Sequence, residues 1–375
     1  MNIFNYYNKI FLLFFSLITF SYAGNENALR QSLFVNYNNK IIPSNDSLNL
    51  KIGIEIKNLE YFDQKAEKIK FNLILTEEWI DDNINWNNTI NYILVDKDML
   101  WKPDLELYNA ASKPEEFEDI RQIQIYRNGK INWNKPILYS FSCPLQLQDF
   151  PFDTQKCKMT FGSWKFSADY LNITLLDDPI KIAPDFSHNE WVITNVYYQH
   201  LNLEYLCCPD VLWSVNEFEI ELKRNSNKFI ITIMMACLLT LSSLSVTTLS
   251  VKNYKRPYIL IFIPLSIIWI QIDISSKIPV IEYETRIEQI LLCSFLTCML
   301  CALESIILYW ILTNKYFLDK NNNIESKHKI KEFDIIVKDS DSKNKKLQKY
   351  LKCFDKIFRR FIIVSYFISI IILIN

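Results

Sequence analysis

Histidine is scarce in this 375-residue chain; His188, His200 and His328 are the only three. None sits in a catalytic context, so an enzyme is the weakest reading, and nothing calls for a cofactor or a metal. An excess of either charge is missing too, with 41 Lys and Arg set against 42 Asp and Glu. That balance suggests no nucleic-acid partner. Toward the end of the chain, charge itself disappears over long runs. The first two thirds alternate polar and apolar residues, and the last third is blocky.

The opening reads as a processing signal. Lys9 precedes the apolar run Ile10 to Phe20, and Ser21-Tyr22-Ala23 offers small residues at a cleavage site. Residues 1–23 are therefore read as a signal peptide, with the mature chain beginning near Gly24 in an oxidising compartment. The nine cysteines divide in the same way. Cys143, Cys157, Cys207 and Cys208 fall in the alternating part, an even number that allows two disulfides. Cys237, Cys293, Cys298, Cys301 and Cys353 fall in or beside the apolar blocks and are read as free thiols. Asn45, Asn87 and Asn172 each head a glycosylation tripeptide, all before residue 228.

The part before residue 229 reads as β. Leu48, Leu50, Ile52, Ile54 and Ile56 alternate with other residues, as do Ile69, Phe71, Leu73 and Leu75, and Phe218, Ile220 and Leu222. Asn128-Gly129 between Gln122–Arg127 and Lys130–Trp133 predicts a two-residue hairpin turn. Only Ala28 to Tyr37 looks helical. The expected fold for residues 24–228 is an extracellular antiparallel β-sandwich with a short N-terminal helix.

Four apolar blocks follow. Phe229 to Val251 is 23 residues without a charge, long enough for a core ~30 Å thick. Pro257 to Ile272 is shorter, Gln289 to Asn314 carries only Glu304, and Phe361 to Asn375 closes the chain. Lys252, Lys255 and Arg256 in the first connection, with many lysines in the third, place both connections in the cytoplasm and both termini outside. The domains read as transmembrane helices one to three over 229–314, a cytoplasmic loop over 315–360, and a fourth span over 361–375. Leu347, Leu351, Phe354 and Phe358 suggest an amphipathic helix in that loop.

Cys143 and Cys157 bracket thirteen residues that hold Asp149-Phe150-Pro151-Phe152-Asp153. Joined, they would close a 15-residue loop and add roughly 3 kcal/mol of stability in the chain-entropy model. Pro151 stiffens the tip, and Phe150 and Phe152 make an apolar wedge. The full pattern resembles the signature loop of the Cys-loop receptors, the pentameric neurotransmitter-gated ion channels. The order of signal, sandwich, three close spans, loop and last span resembles that plan over the whole chain. Trp79-Ile-Asp81-Asp-Asn-Ile84-Asn-Trp86 is similar to the W-x-D-x-x-L-x-W strand of that family. Trp101-Lys-Pro-Asp-Leu-Glu-Leu-Tyr108-Asn109 is similar to a nicotinic acetylcholine receptor segment. So are Phe161-Gly-Ser-Trp164 and Tyr205-Leu-Cys207-Cys208, the latter like the vicinal-cysteine tip of nicotinic α subunits.

The resemblance implies a Cys143–Cys157 disulfide and a bridged Cys207–Cys208 pair. It also implies an aromatic cage of Tyr108, Trp164, Tyr205 and Trp213 beside the vicinal cysteines. Such a cage suits an acetylcholine-like quaternary ammonium, which has no proton to donate and is held by ring faces, each worth ~1–2 kcal/mol when desolvated. Trp213 stands where the family has a tyrosine. Ile74 stands where the complementary face has a tryptophan, so a principal-face subunit in a hetero-pentamer with other subunits is implied. Asp63, Phe150, Pro151, Phe152, Asp153, Arg224 and Pro279 fall at positions that couple binding to gating, with Gln64 where a glutamate is usual.

The second span departs most. Its lining face would be Tyr258, Phe262, Leu265, Trp269 and Ser276, much bulkier than the family's small hydroxyl residues. Lys255 stands where cation-selective members carry an acidic ring, and Pro264 is expected to interrupt the helix. The implied function is a subunit of a nicotinic-type channel in the plasma membrane, at a synapse. The alternative is a non-conducting ligand-binding or assembly subunit.

Overall fold

The computed structural model describes residues 26–325 and 333–374, except Asn45, Asn88 and residues 118–121. The signal-peptide expectation and the Asn45 acceptor lie outside them. The chain divides into two compact units. One holds the residues up to Leu145 together with Gln155–Leu222, and the other holds Gln146–Thr154 together with everything from Lys223.

The first unit opens with helix α1, residues 26–34. It continues with strands β1 (Leu48–Asp63), β2 (Lys68–Ile80), β3 (Tyr92–Asp96), β4 (Leu105–Leu107), β5 (Glu115–Glu116), β6 (Gln122–Tyr126), β7 (Lys130–Ser142), β8 (Thr154–Ser163), β9 (Leu171–Ile182), β10 (Trp191–Tyr205) and β11 (Cys208–Arg224). One sheet runs β3-β6-β7-β2-β1-β9 with β5 beside β7, and the other runs β10-β11-β8-β4. Alternation decides which side chains turn inward. Leu50, Ile52 and Ile56 of β1 and Ile69, Phe71, Leu73 and Leu75 of β2 are completely buried, while their neighbours face outward. Phe161 of β8 meets Tyr139 of β7 at 5.5 Å between ring centroids and Phe218 of β11 at 5.9 Å, which closes the two layers on one core. Burying side chains of this size contributes ~1.5–3 kcal/mol each.

Two local expectations are corrected. Pairing is antiparallel except between β1 and β9, which run parallel with Leu48 opposite Leu171. The chain leaves β8 in one sheet and crosses to the other before β9, so β9 can arrive beside β1 in the same direction. The β6–β7 hairpin also has three loop residues, because Ile125 pairs with Ile131. Gly129 adopts φ +79°, the left-handed residue that ends such a loop, and a Cβ there would sit 2.5 Å from the Asp81 carbonyl oxygen.

The second unit holds α2 (Asn227–Val246), α3 (Lys255–Ser275), α4 (Arg286–Glu325) and α5 (Phe333–Ile374). Among the described residues, α2, α3 and the stretch Arg286–Asn314 of α4 are long and apolar enough to cross a membrane. Helix α2 stops five residues before Val251, and α3 runs through Pro264 without a break. In a membrane helix the carbonyl freed by proline is accommodated by neighbouring helices, so the ring need not end the helix. No break separates an amphipathic cytoplasmic helix from a fourth span, since α5 is continuous from Phe333. Phe354 and Phe358 stack on it at 6.0 Å, and Phe358 packs on the buried group of Leu244, Leu260 and Ile362.

Candidate functional site

The aromatic site is assembled from three strand ends of the first unit. The β4 segment brings Tyr108 against Trp164, with ring centroids 4.7 Å apart. The Tyr108 hydroxyl donates to the Ser163 carbonyl at 2.8 Å, which fixes the ring across β8. Gly162 makes room for it, since a Cβ there would meet the Tyr108 oxygen at 2.3 Å. Asn109 pins the same segment by donating to the Lys158 carbonyl at 2.7 Å.

Asp104 builds the turn that presents Trp164. Its carboxylate accepts from Ser163 Oγ at 2.6 Å, Trp164 N at 3.1 Å and Lys165 N at 2.9 Å. Trp164 is left 66% exposed, with its backbone N–H bound to Asp104 and its ring against Tyr108. At the β10–β11 turn, Tyr205 and Trp213 face edge to face at 6.3 Å. Burial, then the charge of Tyr205 and of Asp104, raises the Tyr108 phenol well above its usual range, so it stays a neutral donor. The Trp213 indole N–H is buried with no acceptor among the described residues.

Cys207 and Cys208 are free thiols with sulfurs 2.8 Å apart. The expected vicinal bridge is thus not formed in this structure, since a bond needs ~2.05 Å. Adjacent residues can close that bond only through a strained eight-membered ring. The hydrogen bond to Cys207 raises the Cys208 thiol above its ordinary value. Ile74 is half-buried on the side of β2 opposite its core residues.

The W-x-D strand has a structural task. Buried Asp81 accepts from Tyr37 Oη at 2.7 Å and from Asn83 N at 2.9 Å. Tyr37 Oη in turn accepts from Trp101 N at 3.2 Å, tying the end of α1 to the segment that carries Tyr108. Sequence reasoning quoted these motifs but overlooked Asp104, Gly162 and Asp81 as their fasteners. Their signal was a short acid or a glycine inside an aromatic motif.

The bracketed loop begins and ends in the first unit, where Cys143 and Cys157 are bonded, as the resemblance implied. Its tip belongs to the second. Asp153 and Arg224 form a fully buried pair through Nε–Oδ1 at 2.7 Å and Nη2–Oδ2 at 3.0 Å. The guanidinium lies 4.8 Å from the Phe150 ring, and Phe150 meets Phe229 at 4.7 Å. Ser226 Oγ donates to the Pro151 carbonyl, and the Phe150–Pro151 bond is cis. Leu147 N donates to Tyr283 Oη, Arg286 N to the Gln148 carbonyl, and Ile287 N to the Phe150 carbonyl. Phe152 is largely exposed, and Pro279 is half-buried after α3. Asp63 caps its own turn by accepting from Ala66 N, while Gln64 bonds Glu190.

Lys255, Tyr258, Phe262, Leu265 and Trp269 lie on one exposed face of α3, and Ser276, also exposed, follows its last residue. Ile272, not singled out in the sequence, completes that face, and Trp269 is 74% exposed. Arg256, one residue from Lys255, points the other way and is buried. Of the glycosylation acceptors, Asn87 is exposed. Asn172 is half-buried in β9 with its amide donating to Asn49 Oδ1 at 2.9 Å.

Residues 26–226 match the family profile of the neurotransmitter-gated ion-channel ligand binding domain. Among curated proteins, the chain is similar to the neuronal acetylcholine receptor subunit alpha-2 of Gallus gallus, 29% identical over 221 residues, which is 57% of this chain and 42% of that protein. It is 33% identical over 182 residues to the beta-3 subunit of the same species, 47% of this chain and 40% of that one. The alpha-5 subunit of Homo sapiens is 32% identical over 203 residues, 52% and 43% of the two chains. The matched region thus spans well under two thirds of each relative.

Proposed function

Because the chain belongs to the neurotransmitter-gated ion-channel family, we propose that it is a nicotinic-type subunit that binds a quaternary ammonium agonist through its aromatic site. The observation that carries this reading is the Tyr108–Trp164 pair on its Asp104 turn, with Tyr205 near enough to act electrostatically on the Tyr108 hydroxyl and Trp213 edge-on to Tyr205. A cation without donors gains from ring faces and from little else, and an exposed indole already packed on Tyr108 loses less entropy on meeting it. Two or three such faces at ~1–2 kcal/mol each supply a useful affinity when the ligand is desolvated.

The subunit works within a hetero-pentamer in the plasma membrane, with its sandwich outside the cell. It offers the principal face, because Ile74 replaces the ring a complementary face would bring. Oxidation of Cys207 and Cys208 outside the cell stiffens the turn over the ligand. The agonist signal passes through Phe150, Pro151, Phe152 and Asp153 with Arg224 to the helices, and Asp63 and Pro279 stand at the family's coupling positions. Asn87 carries the glycan more readily than Asn172, whose amide is already engaged.

A second reading is favoured by α3. Its exposed face is Lys255, Tyr258, Phe262, Leu265 and Trp269, followed by Ser276, and a ring of such groups would obstruct and repel cations. Under that reading the subunit binds ligand and assembles, while its partners conduct. The experiment is to express this chain alone and with nicotinic partner subunits, measuring radiolabelled quaternary ammonium binding and agonist-evoked current under voltage clamp. Binding without sodium current from the chain alone is expected. Robust homomeric sodium current would reject the second reading, and absence of binding in every combination would reject the first.

A further inference from the structure

Among the described residues of the helical unit, the largest buried charge cluster centres on Arg256, in the first turn of α3 and 1% exposed. Its Nη2 lies 2.6 Å from Glu304 Oε2 of α4 and 2.7 Å from Asp355 Oδ1 of α5. Nε donates to Ser305 Oγ at 2.9 Å, and Nη1 to the Leu249 carbonyl at 3.3 Å in the connection after α2. Arg359 of α5 stands 3.0 Å from Asp355 Oδ2. Two guanidinium groups and two carboxylates thus face one another, and one side chain touches α4, α5 and the α2–α3 connection.

Length shows where this cluster sits. At ~1.5 Å per residue, Arg256 to Ser275, Arg286 to Glu304 and Asp355 to Ile374 each measure about 27–29 Å. Helix α2, ending just before Leu249, has the same length. Measured from the cluster to the far ends of the helices, these stretches are similar in length, although α4 and α5 themselves continue past it, and that length approaches the ~30 Å of a hydrocarbon core. Counted from Phe361, α5 offers only about 20 Å, too little to cross.

We propose that Arg256 is a clip that docks α5 and sets its entry into the membrane at Asp355 rather than at Phe361. Asp355 and Arg359 are costly at that depth alone and acceptable when paired. The cluster explains how a helix with charges near its apolar run completes a crossing. The inference rests on the membrane reading above but not on agonist binding.

The test uses the full chain with an epitope appended after Asn375, made in microsomes and probed by protease protection. The intact chain is expected to protect the epitope. Arg256→Met and Asp355→Asn, each leaving an unpaired charge, are expected to lower the protected fraction at least fivefold. Arg256→Met/Glu304→Gln/Asp355→Asn/Arg359→Gln, which removes all four charges together, is expected to restore it to within twofold, because a buried ion network is replaceable as a unit. Equal protection in all four chains would overturn the clip, since α5 would then insert unaided. A quadruple variant as poor as the single ones would overturn it as well. Extraction of the intact chain by alkaline carbonate would overturn the membrane reading beneath it.

Discussion

The aromatic end of the sandwich and the exposed face of α3 carry the same residue types in different company. In the sandwich, Trp164 and Tyr108 are exposed or half-buried rings whose backbones and hydroxyls are fastened to Asp104, Ser163 and Asn109. On α3, Tyr258, Phe262 and Trp269 project from a regular helix, with no such fastening among the described residues. A cation cage needs rings fixed in place before the ligand arrives, whereas a helix face can change size without disturbing its backbone. That difference accounts for an aromatic site rich in recognisable motifs and an α3 face that departs from the family pattern.

The sharpest way to break the contrast is to remove the fastener. Asp104→Ala strands three donors of one turn, so quaternary ammonium affinity should fall by at least ~3 kcal/mol, more than a hundredfold. Trp269→Ala on α3 should leave affinity unchanged within threefold. Equilibrium radioligand binding on the full chain checks both, with circular dichroism to confirm that each is folded. A similar loss from both substitutions would erase the distinction.

Trp164→Ala should cost ~1–2 kcal/mol through the lost ring face, and Tyr108→Phe only ~0.5–1.5 kcal/mol through one lost hydrogen bond. If the order of these two reverses in the same assay, the hydroxyl rather than the ring is the more important contact. The smallest expected effect is a pH dependence confined to the sandwich. Burial lowers the His188 pKa, and its Nδ1 accepts from Glu190 N at 3.2 Å and Trp191 N at 3.1 Å. The unfolded chain therefore binds the proton more readily. His188 stabilisation should be present near pH 7.5 and fade as pH falls through the ordinary histidine range. The melting temperature at pH 7.5 and 5.5, compared with His188→Asn, reads this directly. An identical slope in both chains would remove His188 from the account.

Much of the sandwich was legible because alternation is a local signal: Leu50, Ile52, Ile69 and Phe71 face inward by parity alone. The Cys143–Cys157 bridge and the Tyr108–Trp164 pair followed from motif context. Other features depended on distant partners. The parallel seat of β9 is a matter of the path between sheets, and the single run of α5 is held by contacts with α4. Arg256 looked like a flanking charge because its neighbours Lys252 and Lys255 are exposed. Nothing near it in sequence announces Glu304 and Asp355.

The amino-acid order alone determined which residues are inward on each strand and which three blocks are apolar enough to cross a membrane. Those properties follow from periodicity and residue type within short windows. Tertiary structure decided the rest. It made Asp104 the clasp of the Trp164 turn and left Cys207 and Cys208 unbonded. It also turned Asp153 onto Arg224 and buried Arg256 among three carboxylate and hydroxyl partners. A charge is placed by whatever desolvates and pairs it, and that partner lies dozens of residues away in the chain.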